Sequence, residues 1–248
     1  MAKLSGKVAI VTGASKGIGA AIAEDLAKEG ASVAVNYSSS PKQAEALVAK
    51  IKAAGGKAKA IRADLSKPSE AKQLIDSTVS EFGKVDILVN NAGVYDFLPL
   101  DAITEAHFDR MFQLNVRGLL FATQAAVRAF GDRGGSIINI SSMATQAPPP
   151  GASVYSATKG AVDVLTQGLA AELGPRKIRV NAVLPGPVET EGTQAMGNFE
   201  DFAKALIPRT ALGRIGQPRD IATVVTFLAS EDAGWITGEI VPAAGGLQ

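Results

Sequence analysis

Val8-Ala9-Ile10-Val11-Thr12-Gly13-Ala14-Ser15-Lys16-Gly17-Ile18-Gly19-Ala20-Ala21-Ile22-Ala23 is the stretch that decides the fold. A short apolar run breaks into a glycine-rich turn, and an alanine-rich segment of helical period follows. Strand, tight turn and helix in that order open a βαβ unit. Gly13, Gly17 and Gly19 let the chain turn sharply and bring backbone N–H groups close to a pyrophosphate at the helix N-terminus. The spacing is G-x-x-x-G-x-G rather than G-x-G-x-x-G, so the turn alone leaves open a strand-to-helix corner without a ligand.

The same alternation runs outward from this turn along the whole chain. Strands are expected at Lys7–Thr12, Ser32–Tyr37, Lys57–Ala63, Ile87–Asn90, Ser136–Ser141, Ile178–Leu184 and Gly238–Val241. Several are continuous apolar runs, as strands covered by helices on both faces should be. Helices are expected around 17–29, 41–54, 68–82, 101–130, 154–173 and 219–230, with Pro41, Pro68 and Pro218 near helix starts, where a missing N–H costs little. No repeat or linker divides the 248 residues, which reads as one α/β domain on a parallel sheet.

Composition narrows the function classes. The chain is 46% hydrophobic and 20% charged with a net charge of +1, so no basic or acidic field advertises a nucleic-acid or membrane partner. It has no cysteine and one histidine, so a metal centre would need carboxylates alone, and none is expected. The start, MAKLSGKVAIV, has no signal-peptide pattern and no apolar run reaches membrane-spanning length, which makes a cytoplasmic protein the expectation.

Two further sites carry chemistry. The second strand ends Asn36-Tyr37-Ser38-Ser39 with no carboxylate, and Lys16 can face the same place. An acid there would accept from the ribose 2′-hydroxyl of NAD. Cation, hydroxyl and amide donors favour the 2′-phosphate of NADP(H), with NAD(H) use still open. Tyr155 and Lys159 stand at i and i+4 of an expected helix, so phenol and ammonium share one face. A phenol has a pKa near 10, and a neighbouring cation lowers it, so Tyr155 could donate a proton to a carbonyl or take one from an alcohol. Ser142, at the end of a strand, could hydrogen-bond the same oxygen. Tyr-x-x-x-Lys alone is common in helices; the company of Ser142 is what gives it weight.

Taken in order, Thr12–Gly19, Asn90-Asn91-Ala92-Gly93, Asn115 in Leu114-Asn115-Val116, Ser142, Tyr155 with Lys159, and Pro185-Gly186-x-x-x-Thr190 resemble the motifs of the short-chain dehydrogenase/reductase family. The resemblance runs along essentially the whole chain. It implies a three-layer, doubly wound Rossmann-like fold with a seven-stranded parallel sheet, usually assembled as a homotetramer. It implies a cofactor site of Gly13, Ser15, Lys16, Gly17, Ile18, Gly19, Asn36, Tyr37, Ser38, Asp64, Leu65, Asn90, Ala92, Gly93, Tyr155, Lys159, Pro185, Gly186, Val188 and Thr190. Within it Asp64 would bind the adenine, Asn90 and Gly93 the adenosine side, Lys159 the nicotinamide ribose, and Val188 with Thr190 the carboxamide. Asn115 would kink its helix and hold a water that links Lys159 to solvent.

The similar patterns within the family are carbonyl reductases, 3-oxoacyl-[acyl-carrier-protein] reductases and enzymes resembling glucose 1-dehydrogenase. In place of an Arg-rich stretch after Asn-Asn-Ala-Gly the chain has Val94-Tyr95-Asp96-Phe97-Leu98-Pro99, which weakens the acyl-carrier reading. Tyr95, Phe97, Met143, Thr145, Gln146, Val154, Pro187, Phe199 and Phe202 should ring the substrate. That wall is apolar, so an uncharged small-molecule ketone or its alcohol fits better than a sugar phosphate. A regulatory protein that binds cofactor without turnover is the competing class, although Ser142, Tyr155 and Lys159 are all present. Residues 187–215 are rich in Gly, Pro and Thr, and Phe199, Phe202, Ala203 and Leu206 form one amphipathic stretch with Asn198 as its N-cap. This segment is either a mobile substrate lid or a packed surface excursion. Pro242 places the last strand at a sheet edge. His107 is assigned no role and expected at the surface, and helix 154–173 is expected to face both core and subunit interface.

Overall fold

The computed structural model describes residues 2–195, 197 and 199–247. Among them, seven parallel strands form one sheet: β1 Val8–Val11, β2 Ser32–Tyr37, β3 Lys57–Arg62, β4 Ile87–Asn90, β5 Gly135–Ile140, β6 Ile178–Pro185 and β7 Ile240–Ala243. Their order across the sheet is β3-β2-β1-β4-β5-β6-β7. The chain therefore winds outward in one direction to β3 and in the other to β7. The reversal lies between β1 and β4, whose carboxyl ends open the crevice where doubly wound sheets bind ligands.

The connecting helices are α1 Gly17–Lys28, α2 Pro41–Ala53, α3 Pro68–Phe82, α4 Glu105–Phe112, α5 Leu119–Phe130, α6 Ser153–Leu173, α7 Glu191–Gln194, α8 Phe199–Leu206 and α9 Pro218–Ala229. On one face of the sheet Ile22, Leu26, Val33, Val35, Ile221 and Val225 join α1, α2 and α9 to the strands. On the other, Ile10, Leu74, Leu88, Phe130, Ile137 and Val180 do the same for α3, α5 and α6. Burying both faces is why β1 and β4 are apolar at nearly every position. Pro41, Pro68 and Pro218 each take the first position of their helix. No helix among the described residues is long and apolar enough to cross a membrane.

The expectation of one helix over 101–130 is corrected. A short turn at Leu100–Ala102 is followed by α4, whose N-cap Thr104 accepts from the His107 amide at 3.2 Å. Between α4 and α5 the chain widens into a π-helical segment, Gln113–Gly118. The cause lies outside the helix. Asn115 Oδ1 accepts from Val94 N–H at 2.8 Å, and its Nδ2 donates to Val94 O at 2.8 Å and Thr158 Oγ at 3.1 Å. These bonds draw Asn115 toward the site and hold the one-residue widening, a form that is frequent at functional sites. His107 is also corrected: it is buried rather than at the surface.

At the far edge, β7 begins two residues later than expected. Ala182 N–H donates to Glu239 O at 2.8 Å and Gly186 N–H to Ala243 O at 3.2 Å, so alternate residues 239, 241 and 243 face β6. Pro242 therefore turns its missing donor to the open edge, and the ladder with β6 loses nothing.

Candidate active site

The crevice beside β1 is a cleft of about 480 Å³ lined by residues from the glycine turn, the ends of β2, β3 and β4, and the segment after β6. Its floor is close backbone. A Cβ on Gly13 would lie 2.9 Å from Ala92 Cα, and one on Gly19 would lie 2.6 Å from Gly13 O. Gly13 and Gly17 also take positive φ, +61° and +58°. No side chain caps α1 at Lys16, so its first N–H groups remain for an anion. This uncapped helix end over a glycine floor fits a dinucleotide's pyrophosphate.

Around that floor, Ser15, Lys16, Ile18, Tyr37, Ser38, Asp64, Leu65, Ala92, Gly93 and Thr190 line the cleft as the sequence reading expects. Lys16 and Ser38 are exposed where β2 ends at the cleft. Burial raises the Asp64 carboxyl, but the Ser66 hydroxyl and amide, with Lys67 and Arg62, outweigh it and hold the group below the usual carboxylate range. Asn36 also lines the cleft, whereas Asn90 does not, and both side chains bond within the protein. Asn36 is buried, accepts from Gly13 N–H at 3.1 Å and donates to Ala63 O at 3.1 Å, so it shapes the turn. Asn90 turns inward and donates to Thr123 Oγ at 3.0 Å and Asn139 Oδ1 at 2.9 Å. Both side chains serve the scaffold, with no donor left for a ligand.

Tyr155 sits in the first turn of α6, with Lys159 one turn further. Lys159 is buried and its Nζ donates to Ile140 O at 2.8 Å, at 5.8 Å from the Tyr155 ring centroid. Burial lowers the Lys159 ammonium to about 8, with the Asp163 carboxylate opposing the fall. Burial likewise pushes the Tyr155 phenol up, while the Ser142 hydroxyl pulls it down. The expectation that Lys159 lowers the phenol is therefore corrected for this arrangement, because the ammonium is turned to a backbone carbonyl and desolvation prevails. Ser142 N-caps the turn Met143–Thr145, and Thr145 Oγ donates to Ser142 O at 3.1 Å. Asn115 Oδ1 and Lys159 Nζ approach the same point, 3.2 and 3.6 Å from where a Cβ on Gly93 would stand. A side chain there would press on Asn115.

The wall beside Tyr155 is aromatic. Phe97 and Tyr95 stand 5.9 and 6.3 Å from the Tyr155 ring, and 6.0 Å from each other. Met143, Gln146 and Pro187 line a separate cavity of about 520 Å³ with Leu212 and the C-terminal residues 242–247. Val154 is buried. Val188 is buried and bridges to Gly216, Pro185 ends β6, and a Cβ on Gly186 would meet Ala244 Cα at 2.8 Å. Thr190 caps α7 reciprocally with Thr193, at 3.1 and 2.9 Å. The expected amphipathic helix forms as α8, where Phe199 and Phe202 pair at 6.4 Å and no residue is buried. Its expected N-cap, Asn198, lies outside the described residues.

Thr12 and Asn91 are site residues that sequence reasoning missed. Thr12 Oγ accepts from Asn91 N–H and Ala92 N–H, each at 2.9 Å. Asn91 Nδ2 donates to Thr12 O at 2.8 Å and Gly13 O at 3.1 Å. Together they lock the turn after β4 to the glycine turn. Both stand inside the quoted motifs, Thr12–Gly19 and Asn90-Asn91-Ala92-Gly93, and their polar side chains were the available signal.

A family model described as Enoyl-(Acyl carrier protein) reductase matches residues 13–248. An uncharacterized oxidoreductase of Methylorubrum extorquens is 55% identical over 249 residues, covering all of both chains. A probable tetrahydroxynaphthalene reductase of Zymoseptoria tritici is 41% identical over 96% of this chain and 93% of its own. Among solved structures, a short chain dehydrogenase from Burkholderia cenocepacia in complex with NADP is 41% identical, with TM-score 0.92 over 98% of each chain. Doubly wound sheet, uncapped glycine turn and the Ser142–Tyr155–Lys159 cluster thus agree with whole-chain similarity: this chain is an oxidoreductase of the short-chain dehydrogenase/reductase family.

Proposed function

We propose that the protein is an NADPH-dependent carbonyl reductase, working reversibly on an uncharged ketone or secondary alcohol with Tyr155 as its acid and base. The observation that carries this reading is the half-buried Tyr155 phenol. It lies beside the Ser142 hydroxyl, under an aromatic wall and next to the nucleotide cleft. A phenol pushed up by burial holds its proton, which suits donation to a carbonyl oxygen. Ser142 would hydrogen-bond that oxygen as charge develops on it. In this reading Lys159, with a value of about 8, passes a proton toward Tyr155 after each turnover, and a water held at Asn115 would link Lys159 to solvent.

The cofactor supplies the hydride when bound. In this reading the amides of residues 15–19 hold its pyrophosphate, and Lys16 and Ser38 hold the 2′-phosphate. Asp64, Leu65, Ala92 and Gly93 line the adenosine, and residues 185–190 hold the carboxamide. Support for NADP(H) over NAD(H) comes from the lack of a carboxylate at the end of β2 and from the NADP complex of the Burkholderia relative. A homotetramer in the cytoplasm is part of the same proposal. Gly160, Val164 and Gly168 fall on one face of α6; Val164 is 70% exposed and nothing lies within 4 Å of a Cβ on either glycine. That is a flat surface another helix can approach.

Loss of NADPH absorbance with a panel of aliphatic and aromatic ketones, aldehydes and acetoacetyl thioesters tests the reading, with alcohols and glucose in reverse. Turnover of uncharged ketones is expected. Cofactor binding with no turnover across the panel would refute it in favour of a regulator.

A further inference from the structure

His107 is the single histidine of the chain, and the chemistry above leaves it unused. It is buried in the first turn of α4, with Nε2 at 3.2 Å from Asp96 O and Nδ1 buried without a hydrogen-bond partner. A carbonyl can only accept, so the ring donates from Nε2.

That bond belongs to a pattern in the segment after β4. Val94 is held through both its N–H and its C=O by Asn115 at 2.8 Å. Asp96 is held by His107 at its carbonyl and by Arg110 at its carboxylate, 3.5 Å away. Leu98 N–H donates to Gly151 O at 3.0 Å. Every second residue is pinned. The residues between the pins, Tyr95 and Phe97, are the two rings that stand against Tyr155. Both keep an open surface, 42% and 40% exposed, where a substrate can lie. The outer pins are on α6, its approach and the π-helical segment; the middle one rests on α4 alone.

We infer that His107 is a positioning residue: through Asp96 it sets the aromatic wall of Tyr95 and Phe97, and so selects carbonyl substrates that carry a ring or another bulky apolar group. The inference rests on the carbonyl-reductase reading for its substrate and deepens it. His107 touches neither the reacting atoms nor the nucleotide cleft. Its influence is confined to the group that lies on the wall.

The single histidine makes the contact measurable without turnover. A long-range ¹H–¹⁵N spectrum of the resting protein should show the imidazole protonated at Nε2; an Nε2 without a proton overturns the proposal. His107→Leu removes the donor, and His107→Gln offers a neutral N–H in its place. With His107→Leu, KM for an aryl ketone should rise roughly tenfold, the factor that one hydrogen bond of about 1.4 kcal/mol sets. KM for NADPH and kcat with a small aliphatic ketone should stay within about twofold, and His107→Gln should recover most of the loss. An equal loss for aryl and small ketones, or no loss for either, overturns it. If no ketone is reduced by the wild-type protein, the parent reading fails, and the Nε2 proton together with aryl-ketone binding to the NADPH-loaded protein still decides the role of His107.

Discussion

Lys159 directs its ammonium to the carbonyl of Ile140, 2.8 Å away, and lies 5.8 Å from the centre of the Tyr155 ring. A strand-end carbonyl thus parks the cation at the rear of the site, where burial lowers it to about 8. The unfolded chain holds that proton to about pH 10.4. Between these values the unfolded state binds more protons than the folded one, so stability attributable to Lys159 rises with pH across the window. Melting curves of the cofactor-free protein should show this: relative to Lys159→Met, the wild type should gain a few degrees between pH 8 and pH 10. Parallel curves for the two would refute the depressed ammonium.

Tyr155→Phe removes the acid and keeps the ring against Tyr95 and Phe97. Turnover should fall by about a hundred- to ten-thousand-fold, the range for a general acid or base. NADPH affinity, read by fluorescence titration, should stay within about twofold. A rate loss under about threefold would remove Tyr155 from the chemistry.

Cofactor choice is assigned to two exposed side chains, Lys16 and Ser38. Lys16→Ala with Ser38→Asp deletes a cation and adds an acceptor for a ribose hydroxyl. The ratio of kcat/KM for NADPH over NADH should drop by at least about tenfold, since one charge-assisted hydrogen bond is worth about 1.5–3 kcal/mol. An unchanged ratio would place the 2′-phosphate elsewhere.

Gly19→Ala drives a methyl group into the Asn91 carboxamide and puts it 2.6 Å from Gly13 O and 3.0 Å from Ala14 Cα, so backbone as well as Asn91 must give way. Overpacking of this kind costs about 1–3 kcal/mol. The melting temperature should fall by several degrees, and NADPH binding should weaken more than tenfold as the amides leave their places. Calorimetry and a binding titration measure the two effects separately.

Val164→Glu adds a charge to the flat face of α6 that Gly160 and Gly168 leave open. If that face joins subunits, sedimentation should show the tetramer shifting to smaller species, because an unpaired buried charge costs several kcal/mol. An unaltered distribution would move the interface off this helix.

Much of the fold was legible because its signals are local. Apolar runs such as Val8–Val11 and Ile87–Asn90, and prolines at 41, 68 and 218, mark element ends by steric rules that need no partner. The break in 101–130 was not legible, since the π-helical segment is fixed by bonds from Asn115 to residues 94 and 158. In the site, residue identity was readable and side-chain direction was not. Asn36 and Asn90 stand at or next to strand ends beside the crevice, yet both amide nitrogens are spent on the scaffold. For His107, an exposed helical position and a buried one have the same local sequence, and only the path of residues 94–98 distinguishes them.

Pro242 faces outward from the last strand, opposite the ladder to β6. An edge with its donors in line is a template on which other chains can add strand after strand, the first step toward insoluble aggregate. The ring interrupts that row at the middle of a four-residue strand. The sheet therefore carries its own terminator, which matters most when chains are crowded and newly made, before any assembly can shield the edge.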